Sequence, residues 1–400
     1  MRIAFVTDMH FGYRRFEQDA HKQGKEAILS AAREADLLIL GGDNFDTSLP
    51  RMETLADVSA ILREALGIFH SRGIEGIPIY AIHGNHDRRA KGFVHPTELL
   101  AQAGLLQNFH NRTLLHGHAG EKVALSGMGS VPEDYAKTAL SQLACKPVEG
   151  AFNIFVLHQS FQEFDVSGND TFITFEDLPG GFDLYLCGHV HQPALSGKVL
   201  NPGSTVVTQM RKDETGARGW LLYDTNARKQ EFRPVVSRQL FHTILTFDSA
   251  KPDEVRAQVE SEARRLLASA PAGAPAPLIK IVVKGTLAKG LGTADLALPH
   301  LGENVFVENG MNSENLKERI AQIKLSREKK LSARQQGMEI LRKKLEGTGF
   351  SLGEPEQVFE ALLEGNGKFL AEIKEKIQLS ATTVSREPEV RKIEKSDANV

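Results

Sequence analysis

Short apolar runs closed by glycine or by an acidic, amide or imidazole side chain recur along the first half of the chain. Residues 2–7 (RIAFVT) lead into Asp8-Met9-His10, residues 37–40 into Gly41-Gly42-Asp43, and residues 78–82 into His83-Gly84-Asn85-His86-Asp87. Residues 153–157 end at His158, and residues 183–187 end in Gly188-His189-Val190-His191. Runs of this length predict buried strands. Between them, Leu55, Val58, Ile61, Leu62, Leu66 and Phe69 keep the i, i+3, i+4 spacing of an amphipathic helix over 53–70. Further helices are expected over 17–35 and over 96–103, the latter opened by Pro96 and closed by Gly104. Residues 199–235 read as antiparallel strands, with turn chemistry at Asn201-Pro202-Gly203-Ser204. The alternation of strands and helices predicts an α/β protein.

After Pro234 the pattern changes. A strand over 240–247, a helix over 252–268, a Pro/Ala loop over 269–277 and a strand over 278–283 predict a small β-α-β unit. From about residue 312 the chain reads as helical, basic over 317–344 and amphipathic over 355–377. The polar residues 380–400 are expected to be a disordered tail. The resulting domain boundaries are 1–236, 237–311, 312–379 and 380–400.

Composition narrows this picture. A chain of 400 residues is too long for one core, so two or three domains are expected. The two cysteines, Cys145 and Cys187, form no metal-type pair, which argues against a disulfide scaffold and fits a reducing cytoplasm. No apolar run reaches membrane-span length and no secretory leader is visible, so no membrane partner is expected. Lys and Arg number 48 against 51 Asp and Glu, so a nucleic acid would have to meet local basic patches rather than a basic surface.

The chemistry lies in what closes the strands. Each of Asp8, His10, Asp43, Asn85, His86, His158, His189 and His191 has a bland explanation alone: Asp43 could cap a helix, and a strand-end histidine is more often structural. Five strand ends of this type in one α/β domain point instead to metal ligation. Carboxylate, amide oxygen and imidazole without thiolate suit Mn, Fe or Zn rather than a cysteine-based structural zinc. The ligands are too many for one ion. A carboxylate shared by two ions roughly 3.5–4 Å apart is the usual two-metal phosphoesterase arrangement, and Asp43 is its natural bridge.

Asp-x-His, Gly-Gly-Asp-x-x-Asp, Gly-Asn-His-Asp, a strand-end His and Gly-His-x-His, in this order, resemble the calcineurin-like metallophosphoesterases over roughly residues 1–235. Asp8-Met9-His10-Phe11-Gly12-Tyr13, Gly42-Asp43-Asn44-Phe45-Asp46, His158-Gln159-Ser160 and Asn201-Pro202-Gly203-Ser204 are similar to motifs of the meiotic-recombination-eleven/SbcD family of DNA double-strand break repair nucleases, with an archaeal source expected. The resemblance implies a four-layer α/β/β/α sandwich, a β-α-β capping domain that binds DNA, and C-terminal helices that bind an SbcC/Rad-fifty-type ABC ATPase. It implies one ion on Asp8, His10, Asp43 and His191, another on Asp43, Asn85, His158 and His189, and His86 as general acid. The ions would be two Mn²⁺ per subunit, with Fe, Mg or Zn as alternatives. Many family members have His where this chain has Asp46, so Asp46 is assigned a supporting role, orienting His86 or a metal ligand, and Asp87 is placed beside it.

Tyr13, Arg14, Arg15, Arg88, Arg89 and Lys91 come directly after the ligand motifs and are expected to contact DNA, with Arg211 and Lys212 in a later loop. Phe11 is expected in the core. The amphipathic helices over 53–70 and 96–105 cover the sheet, and in the resembled family their equivalents form a homodimer bundle. The expected activity is two-metal hydrolysis of DNA phosphodiesters, exonucleolytic (3′ to 5′) on duplex ends and endonucleolytic on single strands or hairpins. A generic metallophosphatase or cyclic-nucleotide phosphodiesterase is the alternative, and a noncatalytic scaffold is disfavoured by the intact ligand set.

Overall fold

The apolar runs become strands of two facing sheets. The computed structural model describes residues 1–90, 92–164, 173–270 and 273–313, together with residues 334, 335, 337, 338, 341, 342, 359 and 363. The chain passes through β1 (Arg2–Val6), α1 (Glu17–Glu34), β2 (Leu37–Leu40), α2 (Met52–Ser71), β3 (Ile79–Ala81), α3 (Pro96–Gln102), β4 (Gln107–Asn108), β5 (Arg112–His118), β6 (Glu121–Met128) and α4 (Glu133–Gln142). It continues through β7 (Phe152–His158), β8 (Leu184–Gly188), β9 (Ala194–Ser196), β10 (Val199–Asn201), β11 (Gly219–Asp224) and β12 (Lys229–Pro234). The last described elements are β13 (Leu240–Ala250), α5 (Pro252–Ala268), β14 (Leu278–Leu287) and β15 (Val305–Ser313).

The first sheet has the order β12-β11-β1-β2-β3-β4 and the second β5-β6-β7-β8-β10-β9. β1 to β4 are parallel, as are β6, β7, β8 and β10, so the ligand-bearing strands of each sheet point the same way. Period-2 alternation divides β1 between two cores. Ile3 and Phe5 enter the layer between the sheets with Ile39, Leu125, Val156 and Leu186, whereas Ala4 and Val6 face a cluster with residues of α1 and α2. On the far side Phe155 and Leu157 pack with Ala136 and Leu140 of α4. The layers thus run helix, sheet, sheet, helix.

Helix α2 buries Val58, Ile61, Leu62, Ala65, Leu66 and Phe69. Each large apolar side chain contributes about 1.5–3 kcal/mol on burial, so packing, more than helix propensity, holds α2. The expected helices over 17–35 and 96–103 differ from α1 and α3 by one residue at the C-terminal end, and that over 53–70 differs from α2 by one residue at each end. Strands β4, β5 and β6 and helix α4 went unexpected. β5 is half-exposed and carries Arg112, His116 and His118, so it lacks the unbroken apolar run of a buried strand.

The β-α-β unit gains a third strand, in the order β13-β14-β15. The bonds from Leu278 N to Gln239 O and from Ser249 N to Thr286 Oγ1 set β13 and β14 running in the same direction. One compact unit comprises Met1–Thr286 with Ala294–Met311, and a second comprises Leu287–Thr293 with Asn312–Val400. The helices expected over 312–379, apart from a few positions, and the tail over 380–400 lie outside the described residues, as does Lys91. No helix among the described residues is long and apolar enough to cross a membrane.

Candidate metal centre

The chain must leave each strand sharply to bring these side chains together, and the backbone records it. Asp8, His10, Asp43 and His189 have φ of 54°, 48°, 45° and 91°, a left-handed region costing roughly 1–2 kcal/mol per residue. Non-glycine residues held there cluster at functional sites. The turns are pinned to one another: Asp8 N donates to Gly42 O at 3.0 Å, His10 N to Asp43 O at 3.0 Å and Phe11 N to Asn44 O at 2.9 Å. Asp43 is therefore no helix cap, since α2 begins at Met52. Two glycines make room. A Cβ at Gly42, itself at φ 100°, would overlap the His158 ring, and one at Gly84 would overlap the Asp43 carboxylate.

The structure brings all the candidate ligands at the strand ends together. Asp8, His10 and His191 form one group able to hold a metal ion, Asp43, His158 and His189 a second, and His10, Asp43 and His86 a third that overlaps both. Asp43 Oδ2 lies 3.8 Å from His10 Nε2 and 3.4 Å from His158 Nε2, so it stands between the two sets. Asn85 Oδ1 joins the second set, 2.8 Å from His189 Nδ1 and 3.3 Å from His158 Nε2. Asp8, His10, Asp43 and His158 are buried, whereas His86 is exposed at the mouth.

Each imidazole turns one nitrogen inward and finds an outer neighbour for the other. His158 Nδ1 lies 2.8 Å from Gly41 O, His10 Nδ1 3.3 Å from Asp46 Oδ1 and His189 Nε2 3.8 Å from Glu133 Oε1. His191 Nδ1 lies 2.7 Å from Thr208 Oγ1 and 3.7 Å from Glu214 Oε1. The contacts at His158 and His191 are hydrogen bonds of the kind that orients metal-ligating histidines, whereas those at His10 and His189 are charge neighbours only. Glu133, Thr208 and Glu214 were not anticipated, because isolated polar residues in a helix turn or loop carry no sequence signal that separates them from solvated ones.

The electrostatics fit cations. Burial raises the Asp8 carboxyl, but His158, His191 and His10 outweigh it and hold it well below the usual range. Asp43 is treated likewise, with burial opposed by His158 and His10, and falls to about 2. Against their own burial, His158 is raised to about 10 by Asp43 and Asp8, and His191 to about 9 by Asp8 and Glu214. Burial and the charge on His158 lower His189 to about 4. Two buried carboxylates are thus balanced by imidazolium protons that a divalent cation would replace. Asp8 Oδ1 is buried without a hydrogen-bond partner, and the Nε2 atoms of His10 and His191 face each other at 3.2 Å. Both features fit an oxygen- and nitrogen-ligated divalent ion.

Asp46 and Asp87 sit beside the ligands in different ways. Asp46 O is 2.9 Å from His86 Nδ1, and Asp46 Oδ1 is 3.6 Å from it, so Asp46 touches both His86 and His10. Asp87 is fully buried and accepts from Gly84 N, Asn44 N and Thr97 Oγ1 at 2.5, 3.2 and 3.2 Å, which anchors the Gly-Asn-His-Asp loop. Burial and neighbouring Asp43 raise its carboxyl to about 6.

The basic residues are less uniform. Arg14 is exposed. Arg15 stacks on Phe306 at 4.2 Å and Arg89 on Phe93 at 5.0 Å. Tyr13 Oη donates to Thr208 O at 2.6 Å, and Phe11 is in the core. Arg88 Nη1 is buried without a hydrogen-bond partner. Behind the centre His83 packs against His95 and His110, with ring centroids 4.6 and 4.7 Å away.

Residues 1–193 match the family model described as calcineurin-like phosphoesterase. The chain is similar to the double-strand break repair protein mre-11 of Caenorhabditis elegans, 27% identical over 299 residues, which cover 59% of this chain and 40% of that protein. It is 29% identical over 252 residues to the DNA double-strand break repair protein Mre11 of Methanopyrus kandleri, covering 56% of this chain and 54% of the other. With the human double-strand break repair protein MRE11 it shares 24% identity over 303 residues, 62% of this chain and 42% of that one. The chain spans about half or less of the length of these relatives.

Proposed function

We propose that the chain, whose residues 1–193 match the calcineurin-like phosphoesterases, hydrolyses DNA phosphodiesters as a double-strand break repair nuclease. The observation that carries the reading is Asp43 between two sets of oxygen and imidazole donors, with exposed His86 beside them. The relatives' names support DNA as the substrate.

Asp8, His10, Asp43 and His191 would hold one divalent ion, and Asp43, Asn85, His158 and His189 a second, with manganese as the expected metal. Two ions bound there would supply Lewis acidity toward a phosphate oxygen and toward the attacking water. The chain's own residues do the rest. The hydrogen bonds on the outer nitrogens of His158 and His191 fix which nitrogen of each faces the centre. The Asp46 carbonyl accepts the Nδ1 proton of His86, which leaves Nε2 as the nitrogen that faces away from Asp46. His86 then delivers its Nε2 proton to the leaving 3′ oxygen, a step contributing typically 10²–10⁴-fold. Tyr13, Arg14, Arg15, Arg88, Arg89 and Lys91 are the DNA contacts of this reading. Residues 1–236 carry the nuclease chemistry, residues 237–311 cap it and contact DNA, and residues 312–379 take an SbcC/Rad-fifty-type ATPase, with the nuclease acting as a homodimer.

The test is a substrate panel with Mn²⁺: end-labelled duplex, hairpin and single-stranded DNA against mononucleotides and cyclic nucleotides. Cleavage of the DNA substrates is expected. Turnover of the nucleotides alone would favour the phosphatase alternative.

A further inference from the structure

The family match ends at residue 193, yet the His189–His191 loop is held largely by residues beyond that point. Asn201 Nδ2 donates to Val190 O at 2.7 Å and to Gln192 O at 3.3 Å, while Arg218 Nη1 donates to the intervening His191 O at 2.8 Å. Three successive carbonyls of the loop are therefore held, which fixes where the His191 ring starts. What remains is its rotation and its tautomer. His191 Nε2 faces His10 Nε2 at 3.2 Å and Asp8 Oδ1 at 3.5 Å. On its other side, Nδ1 lies 2.7 Å from Thr208 Oγ1, which is 3.3 Å from Glu214 Oε1.

We propose that Thr208 and Glu214 form a hydroxyl–carboxylate relay that sets the tautomer and aim of His191 toward the metal centre, resting on the reading of His191 as a ligand. The direction of the hydrogen bonds decides it. Glu214 is buried and accepts from Thr208 N at 2.9 Å, Gln209 N at 2.8 Å and Arg211 N at 3.2 Å, so it is an ionised acceptor. An ionised carboxylate has no proton to give, so the Thr208 hydroxyl donates to it. The hydroxyl lone pair then accepts Nδ1–H of His191, which leaves the Nε2 lone pair facing the centre. With the hydroxyl reversed, Nε2 would carry the proton and could not ligate. Thr208 and Glu214 are positioning residues, acting only through His191.

Glu214 also anchors the loop it bonds, so the discriminating variant is Thr208→Val. It removes the hydroxyl, keeps the branched shape, and spares the backbone contacts to Glu214 and to Tyr13 Oη. Calorimetric titration of the metal-free full chain with Mn²⁺ is the readout. The wild type is expected to bind two equivalents. Thr208→Val keeps one and loses about 10–100-fold in affinity for the other. Thr208→Ser restores it. Glu214→Gln, whose amide can donate to the hydroxyl and reverse the relay, shows the same selective loss and serves if Thr208→Val does not fold. Two wild-type affinities in Thr208→Val, or a Thr208→Ser variant as weak as Thr208→Val, would overturn the relay and leave the metal-centre reading standing. A wild type that binds no divalent ion overturns both.

Discussion

Asp43 is the residue on which both donor sets depend, because one carboxylate faces His10 on one side and His158 on the other. Asp43→Asn is expected to lose both metal equivalents together, whereas His10→Ala or His158→Ala weakens mainly one; metal content of the purified variants by elemental analysis checks this. Gly84→Ala should empty the centre without touching a ligand, since its Cβ would overlap the Asp43 carboxylate, and the same measurement applies. The side chains that gather at the candidate centre were legible in the sequence, because hydrophobic patterning has no use for Asp, Asn or His at the ends of buried strands. Their outer partners were not. Glu133, Thr208 and Glu214 matter only through contacts with residues distant in the chain, 56 residues away in the case of Glu133 and His189, and no local pattern marks such a contact.

At the scale of elements, legibility tracked the apolar run and not burial alone, since β6 is buried over Val123–Met128 yet interrupted by Ser126 and Gly127 and went unexpected. β1, β2, β3, β7 and β8 are near-continuous apolar runs and stand out in the sequence, whereas β5 and the two-residue β4 offer too little apolar pattern. The loops after β3 and β4 and the start of α3 meet in a histidine cluster that no pattern announced. His95 caps α3, its Nδ1 accepting from Glu98 N at 3.2 Å, and His110 Nδ1 accepts from Gly129 N at 2.9 Å. His83 is lowered to about 2, by burial first and then by His110 and His95, and the other two are also lowered by burial. An unfolded imidazole titrates near 6.5, so between about 6.5 and 2 the unfolded chain binds a proton that the folded chain refuses. The stability His83 contributes is therefore whole above about pH 6.5 and lost as the pH falls. In urea denaturation of metal-free protein, the difference between His83→Phe and wild type should shift in favour of the variant by up to about 1.4 kcal/mol per pH unit below 6.5. Parallel pH dependences would contradict it.

At the scale of the molecule, the third sheet is tied to the first two by a buried cluster of Leu240 and Leu278 with Phe16, Val207 and Met210, and by polar contacts around it. Arg238 donates to Asp19 Oδ2 of α1 at 2.8 Å and to Asn304 Oδ1 at 2.7 Å, and Phe16 meets Phe306 edge-on at 6.0 Å. Arg238→Ala is expected to cost about 1.5 kcal/mol and to lower amide protection in β15 more than in β1, read by hydrogen exchange. With a net charge of −3, the chain has no global attraction for DNA, so the proposed DNA substrate would have to be held by local basic residues. The central claim is that this mouth hydrolyses DNA phosphodiesters with His86 as proton donor over a two-metal centre. The most direct measurement is Mn²⁺-dependent cleavage of end-labelled duplex DNA by wild type and His86→Ala, with the metal content of both determined. The account predicts two equivalents in each protein and a loss of about 10²–10⁴-fold in cleavage rate for the variant; cleavage by His86→Ala at the wild-type rate would contradict it.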